Sequence, residues 1–504
     1  MKSARLYTLV ILLSSILSGC LPGGNRISIS IQVDNITRNI SLPEGSTVRY
    51  AIAASGIELG DLDRTEPPSY SQLQNGDSIR VIRVAEEFET EQVELPFVSR
   101  TLPNEGLPIG EQRLIQNGKN GLQEVHYRVL YEDGELISRT EVSSQILNQP
   151  VEEIIMIGAQ SPFSSMPISG KLAFLSGGNA WLLEDTSGNR RPVVTIGDLD
   201  GRIFEVSPDG RWLLFSRSVT VGSDINELWV AGLLESQPSL IDLHVSNVVH
   251  YAGWVPNTNY QIAFSSVEPS INPPGWVANN DLKIIDFSED GEVSRATAAL
   301  SPRKDGLYAW WGTSYAWSPE SDQLAFARPD GVGIVDLASG SLDTWSPLPA
   351  YDTGSDWAWI PGLSWLDEES FYYVHYTLNP PTFSLVKATG NDEETIAPDV
   401  GMFASPVVEP DGEQVAYLRA FTPSQSDIST YQLMVAAPSG NSILLFPPEG
   451  AAGLQPQRVS WSPSSENGPI IAFVYQGNLW GVNILTGEAQ QLTGDGLVTN
   501  ISWR

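Results

Sequence analysis

The chain has 504 residues, among them 60 acidic and 28 basic side chains, four His and one Cys. At roughly 150 residues per domain it holds about two to four domains, and a net charge of −32 leaves no basic field for nucleic acid or an anionic membrane surface. With 44 Gly, 35 Pro and 15 Trp the chain is rich in turn formers and poor in helix formers, which excludes a helical bundle and predicts a mainly β protein. A single cysteine excludes an internal disulfide and a cysteine-cluster metal site.

Lys2 and Arg5 precede a mostly apolar run from Leu6 to Leu17. The run is too short to span a bilayer and ends in small residues, so it reads as a cleavable secretory signal. The closing Leu17-Ser18-Gly19-Cys20 resembles the lipobox of bacterial lipoproteins. That resemblance implies removal of residues 1–19, lipidation of Cys20 as a membrane anchor, and a tether over residues 20–26 containing Leu21-Pro22-Gly23-Gly24. The alternative is an ordinary signal peptide with a spare thiol. Cleavage removes two cations and no anions, so the mature charge becomes 26 − 60 = −34. The expected location is extracytoplasmic, lipid-anchored to the cell membrane of a monoderm or to an outer membrane.

Residues 27–88 open with strict alternation, Ile27-Ser28-Ile29-Ser30-Ile31-Gln32-Val33, the period of a half-buried strand. A Pro43-Glu44-Gly45 turn, a helical stretch from Thr47 to Ser55, a Pro-rich loop at Pro67-Pro68 and a final strand Ser78-Ile79-Arg80-Val81-Ile82-Arg83-Val84 complete a β-grasp pattern. With Gly56-Ile57 after the helix and Asn75-Gly76-Asp77 before the last strand, the segment resembles the ubiquitin-like modules of the resuscitation-promoting factors. In residues 90–158, Glu94-Leu95-Pro96-Phe97, Leu107-Pro108-Ile109-Gly110, Gln116-Asn117-Gly118-Lys119-Asn120-Gly121, His126-Tyr127-Arg128-Val129 and Glu132-Asp133-Gly134-Glu135 follow in order. This segment resembles the G-five domain of bacterial surface proteins. The glycines at 110, 118, 121 and 134 suit turns needing positive φ, with short strands between them forming a thin, extended sheet. The resemblance implies binding of peptidoglycan or another N-acetylglucosamine-containing polymer; the alternative is a spacer. In the resuscitation-promoting factors the same order precedes a lysozyme-like domain. Nothing after residue 165 has that helical pattern, so peptidoglycan cleavage is not carried over.

After a Ser-, Pro- and Gly-rich linker over 159–169, residues 170–504 repeat. The turns Ser207-Pro208-Asp209-Gly210, Trp254-Val255-Pro256, Trp317-Ser318-Pro319, Trp365-Leu366-Asp367, Glu409-Pro410-Asp411-Gly412 and Trp461-Ser462-Pro463 each precede a strand with an aromatic residue: Phe215, Phe264, Phe326, Tyr373, Tyr417 and Phe473. Repeats of about 40–50 residues built of short strands signal a β-propeller. The first copy lacks a leading strand and the chain stops at Ile501-Ser502-Trp503-Arg504, so the last strand is expected to complete the first blade. The count is seven blades, or six if the 63-residue interval from Pro256 to Pro319 is miscounted. The repeat resembles TolB-type and WD-repeat-like propellers, a resemblance that implies a fold and a habit of protein binding rather than a reaction.

No catalytic motif is found. There is no Gly-x-Ser-x-Gly pentad, and Asp209 and Gly210 are adjacent as in a plain turn. His126, His244, His250 and His375 are widely separated, so no zinc site is predicted; His244 and His250 read as solvated blade-edge residues rather than a pair with Asp242. Asp198-Leu199-Asp200-Gly201 begins a calcium-loop pattern without completing it, so no cofactor is expected beyond a structural calcium of the kind propellers hold. The strongest functional lead is an aromatic cluster. Trp317 and Trp365 occupy the repeated turn and belong to the core, whereas Tyr308, Trp310, Trp311, Tyr315, Trp357 and Trp359 fall in loops. Flat rings there can stack on sugars or anchor a protein, and the alternative is interblade packing. The sequence thus predicts a lipid-anchored, non-enzymatic envelope binding protein whose propeller meets an unidentified protein or glycan partner. The alternative is a hydrolase or lyase acting on an extracellular polymer from the propeller funnel.

Overall fold

A computed structural model describes residues 25–159, 163–235, 238–258, 260–304, 311–319, 323–349, 351, 353–354, 357–463 and 468–504. Its contacts divide the chain into two compact units, one up to Leu102 with Arg113–Met156, the other Pro103–Gln112 with Ile157–Arg504.

The first unit begins with a mixed four-stranded sheet. Strand Arg26–Val33 pairs antiparallel with Ile36–Pro43 and parallel with Ser78–Ile82, whose other edge carries Arg64–Glu66. Alternation places Ile27, Ile29, Ile31 and Val33 on one face, where they bury Val48, Ala51 and Ile52 of the helix Val48–Ala54. That helix starts where Thr47 Oγ1 accepts the Tyr50 backbone N–H (3.4 Å), an N-cap bond. The Asn75-Gly76-Asp77 turn is tied back to the first strand, Asn75 Oδ1 accepting from the Ser28 N–H at 2.8 Å.

A three-stranded antiparallel ribbon follows, with Gly121–Glu132 central between Val84–Leu95 and Glu135–Asn148. These strands are long, 12, 12 and 14 residues, where short ones were expected. Gly110 and Gly134 do take positive φ, at +82° and +86°. Gly118 and Gly121 do not: a β-carbon there would stand 2.3 Å from the Phe97 ring and 2.5 Å from Asn148 O. Their role is close packing rather than turning.

In the second unit, seven sheets among the described residues form the propeller. Blade 1 pairs Val498–Trp503, Pro167–Ser176 and Asn179–Val194. The first of these runs antiparallel to the second, with Leu172 opposite Trp503 and Phe174 opposite Ile501. The other six are four-stranded, with inner strands Leu199–Val206, Tyr251–Trp254, Ser314–Trp317, Leu363–Trp365, Val407–Val408 and Ser460–Trp461 in blades 2 to 7. The long Pro256–Pro319 interval holds one blade plus an inserted hairpin, Val267–Pro269 with Trp276–Ala278.

The repeated residues have one physical reason each. Phe174, Phe215, Phe264, Phe326, Tyr373, Tyr417 and Phe473 are buried between sheets. The turn tryptophans stitch blade to blade: Nε1 of Trp254, Trp365 and Trp461 donates to the carbonyls of Glu205, Ala316 and Val407 of the preceding blade, at 3.2, 2.8 and 2.8 Å. Trp503 Nε1 donates to Ser169 O at 2.6 Å. In the Ser-Pro-Asp-Gly turn, Ser207 Oγ accepts the Trp212 N–H (2.9 Å) and Gly210 sits at φ +69°.

Candidate functional site

Cys20, Tyr308 and Trp310 lie outside the described residues. Trp311 and Trp359, expected on a binding face, are instead buried, with 4 % and 2 % of their surface accessible. The loop carrying Trp359 folds onto blade 5, where the indole packs edge-on against Phe383 (5.0 Å between centroids) and donates through Nε1 to Met402 O at 2.8 Å. Trp357 is half-buried and stacked on Phe403 at 6.0 Å. Trp311 and Trp359, enclosed by protein, have no free ring face to stack on a sugar. Trp359→Phe is therefore expected to leave ligand binding intact and to cost about 1–2 kcal/mol, the price of an unpaired buried carbonyl, read from the denaturant midpoint.

His250 also departs from expectation. It is not at a blade edge but in the wall of the propeller's central channel, where Nε2 accepts from Trp276 Nε1 at 3.1 Å. Burial, reinforced by the nearby Arg202 cation, pushes its pKa down to about 4. His244 remains outside, next to Asp242 at 3.3 Å. The Asp198 and Asp200 carboxylates are held by protein donors: Arg217 Nη2 reaches Asp198 at 2.7 Å and Asn226 Nδ2 reaches Asp200 at 3.0 Å.

The channel is a polar concavity of about 480 Å³. Inner strands of blades 1, 2, 3, 4, 6 and 7 contribute to it. Its charged lining is Arg202, Glu205, Arg458 and Arg504. Arg202 lies over the Trp276 ring at 5.0 Å and 3.6 Å from Asp200. Arg504 pairs with Glu205 at 3.2 Å. Tyr251 and Tyr315 meet edge to face at 5.3 Å along one wall, and burial raises both phenol pKa values, keeping them neutral donors. Of these residues the sequence points to Tyr315, in the aromatic cluster, and to Asp200, in the incomplete calcium-loop pattern; the arginines and Glu205 are not singled out there. The available signal was three arginines on or beside inner strands in a chain with 28 basic residues in all.

In the first unit the ribbon exposes most of its side chains on both faces. Cross-strand pairs run along it: Arg128 with Glu86, and Arg139 with Glu89 (3.1 Å) and Glu91 (2.6 Å). The Arg139 guanidinium lies 3.6 Å from the Tyr127 ring centroid. Phe88 is 70 % exposed on the adjacent strand.

The G5 domain family model matches residues 86–160, so the chain carries a G5 domain. The resuscitation-promoting factor RpfB of Mycolicibacterium smegmatis is 24% identical over 142 residues, 27% of this chain and 39% of that protein. The chain thus spans well under half of that relative's length. Among solved structures, TolB of Acinetobacter baumannii is similar at 12% identity and a TM-score of 0.37, over 84% of this chain and 99% of that one. The periplasmic gluconolactonase of Pseudomonas aeruginosa is similar at 12% identity and a TM-score of 0.42, over 66% and 98%. A G5 domain joined to a propeller defines an envelope-associated binding or interaction protein. Among the described residues no helix is long and apolar enough to cross a membrane.

Proposed function

We propose that this is a lipoprotein anchored through Cys20, whose G5-bearing unit associates with N-acetylglucosamine-containing wall polymer and whose propeller is an interaction platform without hydrolytic activity. The G5 domain at 86–160 carries the reading. The ribbon supports it: long strands with exposed side chains on both faces suit contact along an extended polymer. Hydrolysis of a glycosidic bond ordinarily needs two convergent carboxylates. The channel lining offers Glu205, already paired with Arg504.

One experiment tests both limbs. Cys20→Ser protein is expected to leave the membrane fraction and to pellet with purified peptidoglycan, released by N-acetylglucosamine oligomers. Retention in the membrane fraction would overturn the anchor, and failure to pellet would overturn the glycan reading.

A further inference from the structure

We propose that the central channel of the propeller binds a carboxylate-bearing saccharide, with Arg458 receiving the carboxylate. The sign of the channel is the first observation. In a chain with 60 acidic and 28 basic residues, the cavity is lined by three arginines and one glutamate. Two of these arginines already have anions, Arg202 beside Asp200 and Arg504 beside Glu205. Arg458 makes no ion pair within 4.0 Å and donates no hydrogen bond among the described residues, yet its side chain is open to the cavity. Arg458 is an exposed residue on the channel wall, and a guanidinium with no protein partner there is free to pair with an anion that enters the channel. One uncompensated cation matches one carboxylate.

The remaining lining fits hydroxyl groups. Ser460 Oγ accepts the Trp503 N–H (3.0 Å) and Ser502 Oγ accepts the Val206 N–H (2.9 Å), so each keeps its own O–H to donate. Asn500 places one amide N–H on Gly201 O at 2.9 Å and keeps further capacity; Thr499 and Ser314 also line the cavity. About 480 Å³ is ample for one or two sugar rings.

The inference rests on the propeller being a binding platform, but not on wall retention, so the pelleting experiment can fail without touching it. Titration calorimetry on the full-length chain would use glucuronate and N-acetylmuramic acid as probes. Glucose and N-acetylglucosamine are the uncharged controls, acetate the carboxylate without hydroxyls, acetyl-dialanine a peptide carboxylate and inorganic phosphate a different anion. At least one acidic sugar is expected to bind about tenfold or more tighter than its uncharged control and than acetate, and Arg458→Gln to remove that preference while Arg458→Lys restores part of it, as for a charge-assisted hydrogen bond. Thr499→Asp, a change at an exposed lining residue, is expected to weaken acidic but not neutral sugars, and guards against a folding defect in the Arg458 variants. Equal binding of acidic and neutral sugars, no binding of either acidic sugar, stronger binding of the dipeptide or phosphate, or an Arg458→Gln variant with unchanged affinity would overturn the proposal.

Discussion

Arg190→Ala is expected to destabilise the propeller-bearing unit by about 3–5 kcal/mol, the usual cost of leaving buried carboxylates without their cation. Arg190 emerges from the long strand Asn179–Val194 of blade 1, and its side chain is only 4 % accessible. Its guanidinium is packed over two rings, 4.1 Å from the Trp181 centroid and 4.9 Å from that of Phe174. Two carboxylates face it: Asp495 at 3.2 Å, which also accepts from Ser176 Oγ at 2.8 Å, and Glu105 at 3.6 Å. Glu105 in turn accepts the Gly494 N–H at 2.9 Å, and Asn104 Nδ2 donates to Arg190 O at 3.0 Å. Arg190 thus pins the segment beginning at Pro103 to blades 1 and 7. Removing the cation leaves Glu105, whose pKa burial already raises, opposite Asp495 with no neutralising charge. Two measurements check this. The urea midpoint of the propeller transition should fall, and the deficit should shrink as pH is lowered through the carboxylate range, because Glu105, whose pKa burial raises, no longer needs a cation once protonated. In Arg190→Met with Glu105→Gln and Asp495→Asn most of the loss should return; a loss below about 1 kcal/mol for Arg190→Ala would show that the pairs contribute little.

What was legible in the sequence were the features that must recur. Tryptophans that donate to the preceding blade recur at one repeat position, so Trp254, Trp365 and Trp461 reveal the ring, and Trp503 stands at the same position where the last strand closes blade 1. The aromatic of the second strand recurs because every pair of facing sheets needs the same volume filled. Channel residues obey no such rule. Arg202, Arg458 and Arg504 come from different blades and different repeat positions, and they converge only when the ring closes. Trp311 and Trp359 depart from expectation for the opposite reason: a high local density of tryptophan announces burial and binding alike, and for Trp359 only the fold of its loop over blade 5 distinguishes them. Likewise Gly118 and Gly121 read as turn glycines, although what excludes a side chain is Phe97 in one case and the Asn148 carbonyl in the other.

Acid should weaken the propeller through His250 by on the order of 3 kcal/mol between about pH 6.5 and pH 4. The imidazole is enclosed in the channel wall, so close to Gly312 that a β-carbon there would lie 2.3 Å from its ring. Its Nε2 must be unprotonated to accept the Trp276 N–H. Burial, with Arg202 nearby, sets the folded pKa at about 4 against an ordinary 6.5. The folded value is the lower one, so between the two the unfolded chain binds a proton that the folded chain refuses. Stability from this group is therefore complete above about pH 6.5, declines as pH falls, and is fully lost once both states are protonated below about pH 4. Acidic groups titrate in the same range, so the informative quantity is a difference between variants. His250→Gln keeps an acceptor for Trp276 and cannot titrate. The stability of the natural protein relative to this variant should drop steadily from pH 7 to pH 4 in urea titrations. A difference that stays constant with pH would show that His250 titrates alike in both states and that the channel wall does not exclude the proton.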